Sequence, residues 1–123
     1  MDRFTKLIES FKEHMKENPN VECCGIITKD FSYVPSKNLS PQPADSFVLN
    51  PTDLVKYWDN CWGIFHSHPL HHDDLPSEED KNSAFYKDYK FVVGNLNGSF
   101  YQYWLNDHNM LEFKDFNEES LVC

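Results

Sequence analysis

Trp62-Gly63-Ile64-Phe65-His66-Ser67-His68-Pro69 runs on through Leu70-His71-His72-Asp73-Asp74-Leu75 to Pro76-Ser77-Glu78-Glu79-Asp80, and the fold turns on this stretch. Its first four residues are an apolar run of the kind that makes a buried strand. Side chains two apart on an extended chain share a face, so His66 and His68 present two imidazoles on one side. Pro69 lacks the amide hydrogen that a sheet ladder needs and ends the strand. After a polar loop, Ser77 has the position of a helix N-cap, with an acid three residues on. That places the Asp80 carboxylate in the first helical turn, free to swing back toward the histidines. Two neutral imidazoles and one carboxylate, with a fourth position left to water, make a catalytic zinc arrangement. Each half also has a plainer reading. A His-x-His pair occurs on exposed strands, and Ser-x-x-Asp caps helices that hold no metal.

A zinc hydrolase also needs a carboxylate that reaches the attacking water without binding the metal. Glu22, in Val21-Glu22-Cys23-Cys24-Gly25-Ile26-Ile27, is the candidate. An exposed strand end or an ion pair is its structural alternative.

Glu22, His66-Ser67-His68-Pro69 and Ser77-Glu78-Glu79-Asp80 together resemble the JAMM motif of the JAB/MPN metallopeptidase family. The resemblance implies that His66, His68 and Asp80 bind Zn2+. It gives Glu22 the role of general acid and base, and Ser77 that of holding the oxyanion. In finer detail the chain looks like the JAB domains of phage tail-assembly proteins. Glu22-Cys23-Cys24-Gly25, Ser36-Lys37-Asn38-Leu39 and Phe47-Val48-Leu49-Asn50-Pro51 carry that likeness beside the histidine motif. The loop between Pro69 and Ser77 is one residue longer than is usual in the family. The implied fold is a three-layer sandwich, a central mixed β-sheet flanked by helices, of the cytidine-deaminase-like kind. The implied substrate is a peptide or isopeptide bond, cut during phage tail assembly or cell-wall penetration. Phage tail proteins or a separate cell-wall peptidase chain are the implied partners. Two other functions fit the resemblance: a non-catalytic MPN-type scaffold in tail assembly, and a cellular isopeptidase acting on ubiquitin-like tails.

Composition narrows the classes. The 123 residues make one domain by size, read as a single JAB/MPN unit over 1–123. The formal net charge of −9 argues against nucleic acid and anionic membranes as partners, since both need a basic surface. No stretch has the ~20 apolar residues of a membrane span. The charged start, Met1 to His14, lacks the apolar core of a signal peptide. A cytoplasmic protein is expected, or, if phage-encoded, one in the host cytoplasm and the virion tail. Cys23, Cys24, Cys61 and Cys123 show no C-x-x-C spacing. They read as small buried hydrophobes, with a nucleophilic Cys24 as the alternative.

Along the chain, Phe4, Leu7, Ile8, Phe11 and Met15 recur at helical spacing and predict an amphipathic helix over 2–18. Strands are predicted at Val21–Thr28 and Phe31–Pro35, with a short one at Ser46–Leu49. A second helix opens at Pro51, capped by Asn50, and runs to about Asn60. The helix from Ser77 reaches about Tyr86, with Ala84 and Phe85 inward. Phe91–Leu96 and Ser99–Leu105 read as a hairpin about an Asn97-Gly98 turn, and Met110–Phe113 as a last strand. The acidic tail from Asp115 reads as frayed. His71 and His72 read as solvated loop residues, with a second metal site shared with Asp73 or Asp74 as the alternative. His14 and His108 read as surface. The element order predicts a mixed α/β, α+β-like domain.

Overall fold

The computed structural model describes residues 2–69, 75–83 and 89–122. His71, His72, Asp73 and Asp74, the end of the third helix with Ala84 and Phe85, and Cys123 lie outside the described residues.

Helix α1 covers Arg3–Glu17 and is started by Asp2, whose side chain accepts the Thr5 amide hydrogen at 2.7 Å. Its stripe of Leu7, Phe11 and Met15 is buried. The strands are β1 (Cys24–Thr28), β2 (Tyr33–Ser36), β3 (Cys61–Ser67), β4 (Lys90–Gly94), β5 (Phe100–Leu105) and β6 (Leu111–Asp115). They form a six-stranded sheet in the order β2-β1-β3-β4-β5-β6. β3 and β4 run parallel, and all other neighbours are antiparallel. Helix α2 (Pro51–Lys56) has Asn50 as its N-cap and Pro51 in its first turn, and a 3-10 turn at Trp58–Asn60 leads into β3. Helix α3 begins at Glu78 and is described to Ser83.

Each face of the sheet has its own core. On one, Leu7, Phe11 and Met15 meet Ile27, Phe65, Val92 and Phe100, and the Phe11 ring stacks on Phe65 with centroids 4.0 Å apart. On the other, Ile26, Ile64, Phe91, Val93 and Tyr103 are covered by Phe47, Leu49 and Tyr57 from the segment around α2. This is the mixed α/β sandwich that the sequence predicts. Helix, sheet and the α2 segment are its three layers.

β3 is not a regular strand. Ile27 pairs with Gly63, but Thr28 pairs with Cys61, so Trp62 is an extra residue in the ladder. Such a bulge reverses the alternation beyond it. Trp62 joins the α1-side core, while Ile64, and with it His66, lies on the opposite face. Gly63 packs against the backbone of Lys90 in β4. A Cβ there would sit 2.5 Å from the Lys90 carbonyl oxygen, so no larger residue fits.

Several local expectations are corrected. Phe31 belongs to the turn, not to β2. Its φ is +64°, a costly setting for a bulky residue, and burial edge-on against Trp62 at 5.4 Å compensates. Ser46–Leu49 is no strand. Its backbone bonds instead to the Asn38 side chain, with Val48 N–H donating to Oδ1 at 3.0 Å. The hairpin between β4 and β5 turns on three residues rather than two. Asn95 N–H donates to the Ser99 carbonyl at 3.0 Å, and Gly98 takes the left-handed position at φ +99°. The tail is not frayed. Phe116 and Leu121 join the α1-side core, and the Trp62 indole N–H donates to the Val122 carbonyl at 2.6 Å. Glu118 and Glu119 face water, so the acidic composition hid the apolar anchors between which they stand. His14 is half-buried rather than a surface residue, and its Nδ1 lies 2.7 Å from the Tyr33 hydroxyl.

Candidate metal centre

The sheet register assembles the centre. Cys24 pairs with His66 across the antiparallel β1–β3 ladder, and the Ser67 amide donates to the Cys23 carbonyl at 2.9 Å. Two residues further, Glu22 falls opposite His68. Opposed residues in an antiparallel pair point to the same face. Glu22 therefore reaches the side on which His66 and His68 project, although 44 residues separate Glu22 from His66. The ligand atoms of Glu22, His66 and His68 lie within 4.8 Å of one another, and all three residues are buried. These residues can hold a metal ion.

Asp80 arrives from α3. The Ser77 hydroxyl accepts the Asp80 amide hydrogen at 3.2 Å, and the Ser77 amide donates to Asp80 Oδ2 at 2.8 Å. This reciprocal cap fixes the carboxylate at the helix start. Asp80 Oδ1 is 2.9 Å from His66 Nε2, and Oδ2 is 3.2 Å from His68 Nε2. The two Nε2 atoms are themselves 3.4 Å apart. Tetrahedral zinc, with bonds of about 2.0–2.1 Å, spaces its ligand atoms by about 3.3 Å. The donor set and its spacing fit that ion.

The electrostatics agree with an ionised Asp80. Burial on its own would raise its carboxyl, but the His66 charge, hydrogen bonds from both imidazoles and the Ser77 amide outweigh burial. The net effect holds the group below the usual carboxylate range. The thiols behave differently. Burial pushes Cys23 up to about 11 and Cys24 up to about 12, so neither supplies a thiolate at neutral pH. Burial thus opposes the thiolate that the nucleophilic Cys24 alternative needs. Cys23 and Cys24 are free, buried thiols.

Four residues to which the sequence assigns no role hold the site in place. His66 stacks on Phe47, with centroids 4.4 Å apart and planes 17° from parallel. Its Nδ1 lies 3.4 Å from the hydroxyl of Tyr103, which is wholly buried. Burial, with the Asp80 and Glu22 charges adding to it, keeps that hydroxyl neutral. A neutral hydroxyl can accept the Nδ1 hydrogen, so that Nε2, whose proton bonds to Asp80 while no metal is bound, can become the metal-binding nitrogen, the usual arrangement around a ligating histidine. Asn95, also buried, donates from Nδ2 to the carbonyls of His68 and Pro69 at 3.2 and 3.3 Å, and the His68 amide donates to the Gly94 carbonyl. Asn38 Nδ2 donates to the Glu22 carbonyl at 2.7 Å, and the Glu22 amide donates to the Pro43 carbonyl at 2.7 Å. In the sequence Asn95 and Tyr103 fall on predicted strands, while Asn38 and Phe47 lie in segments that carry the phage tail-assembly likeness without a role attached to either.

A strand that offers paired imidazoles to a helix-capping carboxylate, with an acid from the neighbouring strand, makes a group that could hold a metal ion on a mixed α/β sandwich. Residues 4–106 match the family model of prokaryotic homologs of the JAB domain, and the chain belongs to that family. It is also similar to the tail tip assembly protein K of Escherichia phage N15, with 35% identity over 81 residues. That match takes in 62% of this chain and 33% of the relative, so the chain corresponds to about a third of that protein's length. Among the described residues, no helix is long and apolar enough to cross a membrane.

Proposed function

We propose that the chain is a zinc metallopeptidase or isopeptidase of the JAMM type, one JAB unit over residues 1–123. It hydrolyses an amide bond in phage tail assembly or in penetration of the cell wall. The observation that carries this reading is the convergence of His66 Nε2, His68 Nε2 and the Asp80 carboxylate at 2.9–3.4 Å, with the Glu22 carboxylate close by. In this reading His66, His68 and Asp80 hold the ion. When bound, zinc acidifies a water and polarises the substrate carbonyl. Glu22 takes a proton from the attacking water and returns it to the amine nitrogen as the C–N bond breaks. The Ser77 hydroxyl oxygen is occupied by the Asp80 amide, but its own hydrogen is not needed for the cap. That hydrogen donates to the carbonyl oxygen as negative charge grows there.

The phage setting rests on the similarity to a tail tip assembly protein. A phage tail protein or a separate cell-wall peptidase chain is the proposed partner, on the same similarity. The test joins elemental analysis to a peptide library. About one zinc per folded chain is expected, and Glu22→Gln should keep the metal while losing roughly 10²–10⁴-fold in cleavage. A folded, zinc-supplemented protein without metal would end the reading. Release of zinc by Glu22→Gln would make Glu22 a ligand instead of the base.

A further inference from the structure

We infer that the free edge of β6 pairs with β6 of a second copy of this chain, antiparallel and centred on Phe113. The two edges of the sheet differ. On β2, Pro35 has no amide hydrogen to offer, which blunts that edge. β6 has no proline, and Glu112 to Asp115 are all exposed.

The direction of the free backbone groups follows from the ladder. Asn106 N–H donates to the Met110 carbonyl, and Phe116 N–H to the Phe100 carbonyl, each at 2.9 Å. Antiparallel ladders alternate bonded and non-bonded pairs. The even-numbered residues of β6 therefore bond to β5, and the amides and carbonyls of Leu111, Phe113 and Asp115 point away from it. A two-fold axis at Phe113 lets Phe113 exchange both backbone bonds with Phe113 of the second copy. Leu111 and Asp115 of one copy then do the same with Asp115 and Leu111 of the other.

The side chains suit this register. Glu112 falls opposite Lys114 of the second copy, and Lys114 opposite its Glu112, giving two cross-strand ion pairs from a five-residue strand. On the other face lies an apolar row across the whole sheet. Val34 pairs with Ile26, Ile26 with Ile64, Ile64 with Phe91, Phe91 with Tyr103, and Tyr103 with Phe113. The row ends at Phe113, which is 45% exposed. Pairing about Phe113 sets the two Phe113 rings side by side and continues the row into the second copy. A contact of this kind is isologous and closes at two chains, so it forms no fibre. The candidate metal centre is at β1 and β3, with β4 and β5 between it and β6, so the pairing does not cover it.

Sedimentation velocity over a concentration series, at physiological ionic strength, tests the inference. The wild-type chain should shift from monomer to dimer. Phe113→Pro should be monomeric and still folded, because the Phe113 amide bonds to nothing in β5. Glu112→Lys sets like charges opposite each other and should weaken the dimer by on the order of tenfold. Adding Lys114→Glu to it should restore the pairing. Should Phe113→Pro fail to fold, the charge reversal and its rescue decide alone. A wild-type chain that is monomeric at every soluble concentration overturns the inference, as does a dimer indifferent to the charge reversal.

Discussion

Removing one oxygen atom, in Tyr103→Phe, isolates the support of His66. The ring remains and no cavity opens, because Tyr103 lies flat in the core against Phe91 at 5.7 Å. What is lost is the acceptor 3.4 Å from His66 Nδ1, leaving a buried imidazole N–H without its partner. A buried group left unpaired costs about 1–3 kcal/mol. At 3.4 Å the contact is long, so a stability loss of about 1–2 kcal/mol is expected. The metal should feel it separately. Support of this kind is typically worth about 10–100-fold in affinity, which is about 1.4–2.7 kcal/mol. Urea unfolding of the metal-free proteins gives the first quantity. Competition for zinc with a chromogenic chelator gives the second. Zinc added in large excess stabilises in proportion to the logarithm of affinity, so its gain in stability should shrink in the variant by that same margin. A variant with unchanged zinc affinity would refute the argument, because His66 would then be oriented by Phe47 and the strand alone. Unchanged affinity with reduced stability would show that the hydroxyl serves only the core.

Further outcomes are expected. Asp80→Ala should abolish tight zinc binding and weaken the start of α3 by about 1 kcal/mol, since the reciprocal cap with Ser77 goes too; normal affinity in chelator competition would move the third ligand elsewhere. Leu121→Ala should cost about 2–3 kcal/mol in urea unfolding, the lower part of the range for a buried leucine, whereas a frayed tail would give no change. Burial lowers the His14 imidazole below its ordinary 6.5, with Glu17 opposing weakly. The unfolded chain therefore takes up the proton first, and stability should fall as pH drops from about 6.5 toward the lowered native value, then level off. His14→Gln should lose that part of the acid-side slope when urea titrations on either side of pH 6.5 are compared with wild type.

How much could be read beforehand depended on whether the signal was local. His66 and His68 were legible because two-residue alternation and a terminating proline are properties of one short stretch. Ser77 and Asp80 were legible for the same reason, since a capping box spans four residues. The neighbourhood of Glu22 was suggested by the family likeness and is explained by the β1–β3 register, which no local pattern encodes. Tyr103 and Asn95 could not be found that way. Tyr103 is 37 residues from His66 and, in sequence, is one more aromatic on an alternating strand. Asn95 falls inside the strand predicted over Phe91–Leu96, and nothing local says that it leaves the strand or that its amide reaches back to His68. The misplaced tail shows composition misleading: a high density of acid outweighed two leucine- and phenylalanine-sized anchors. Phe31 shows tertiary burial overriding backbone preference.

The extra residue at Trp62 settles a conflict of parity. Trp62, His66 and His68 are all even-numbered, and an unbroken strand would send every one of them to the same side. The tryptophan has to enter the helix side, where Phe31 and the Val122 carbonyl receive it, while the imidazoles have to open on the other. One irregular step lets a seven-residue strand serve as floor for one core and as wall for the candidate metal centre. A sequence change that smoothed that step from the Cys61 end would turn both imidazoles into the aromatic layer beside Phe11, without altering any residue that touches them. The arrangement of the site is thus vulnerable at a position that contributes no atom to it.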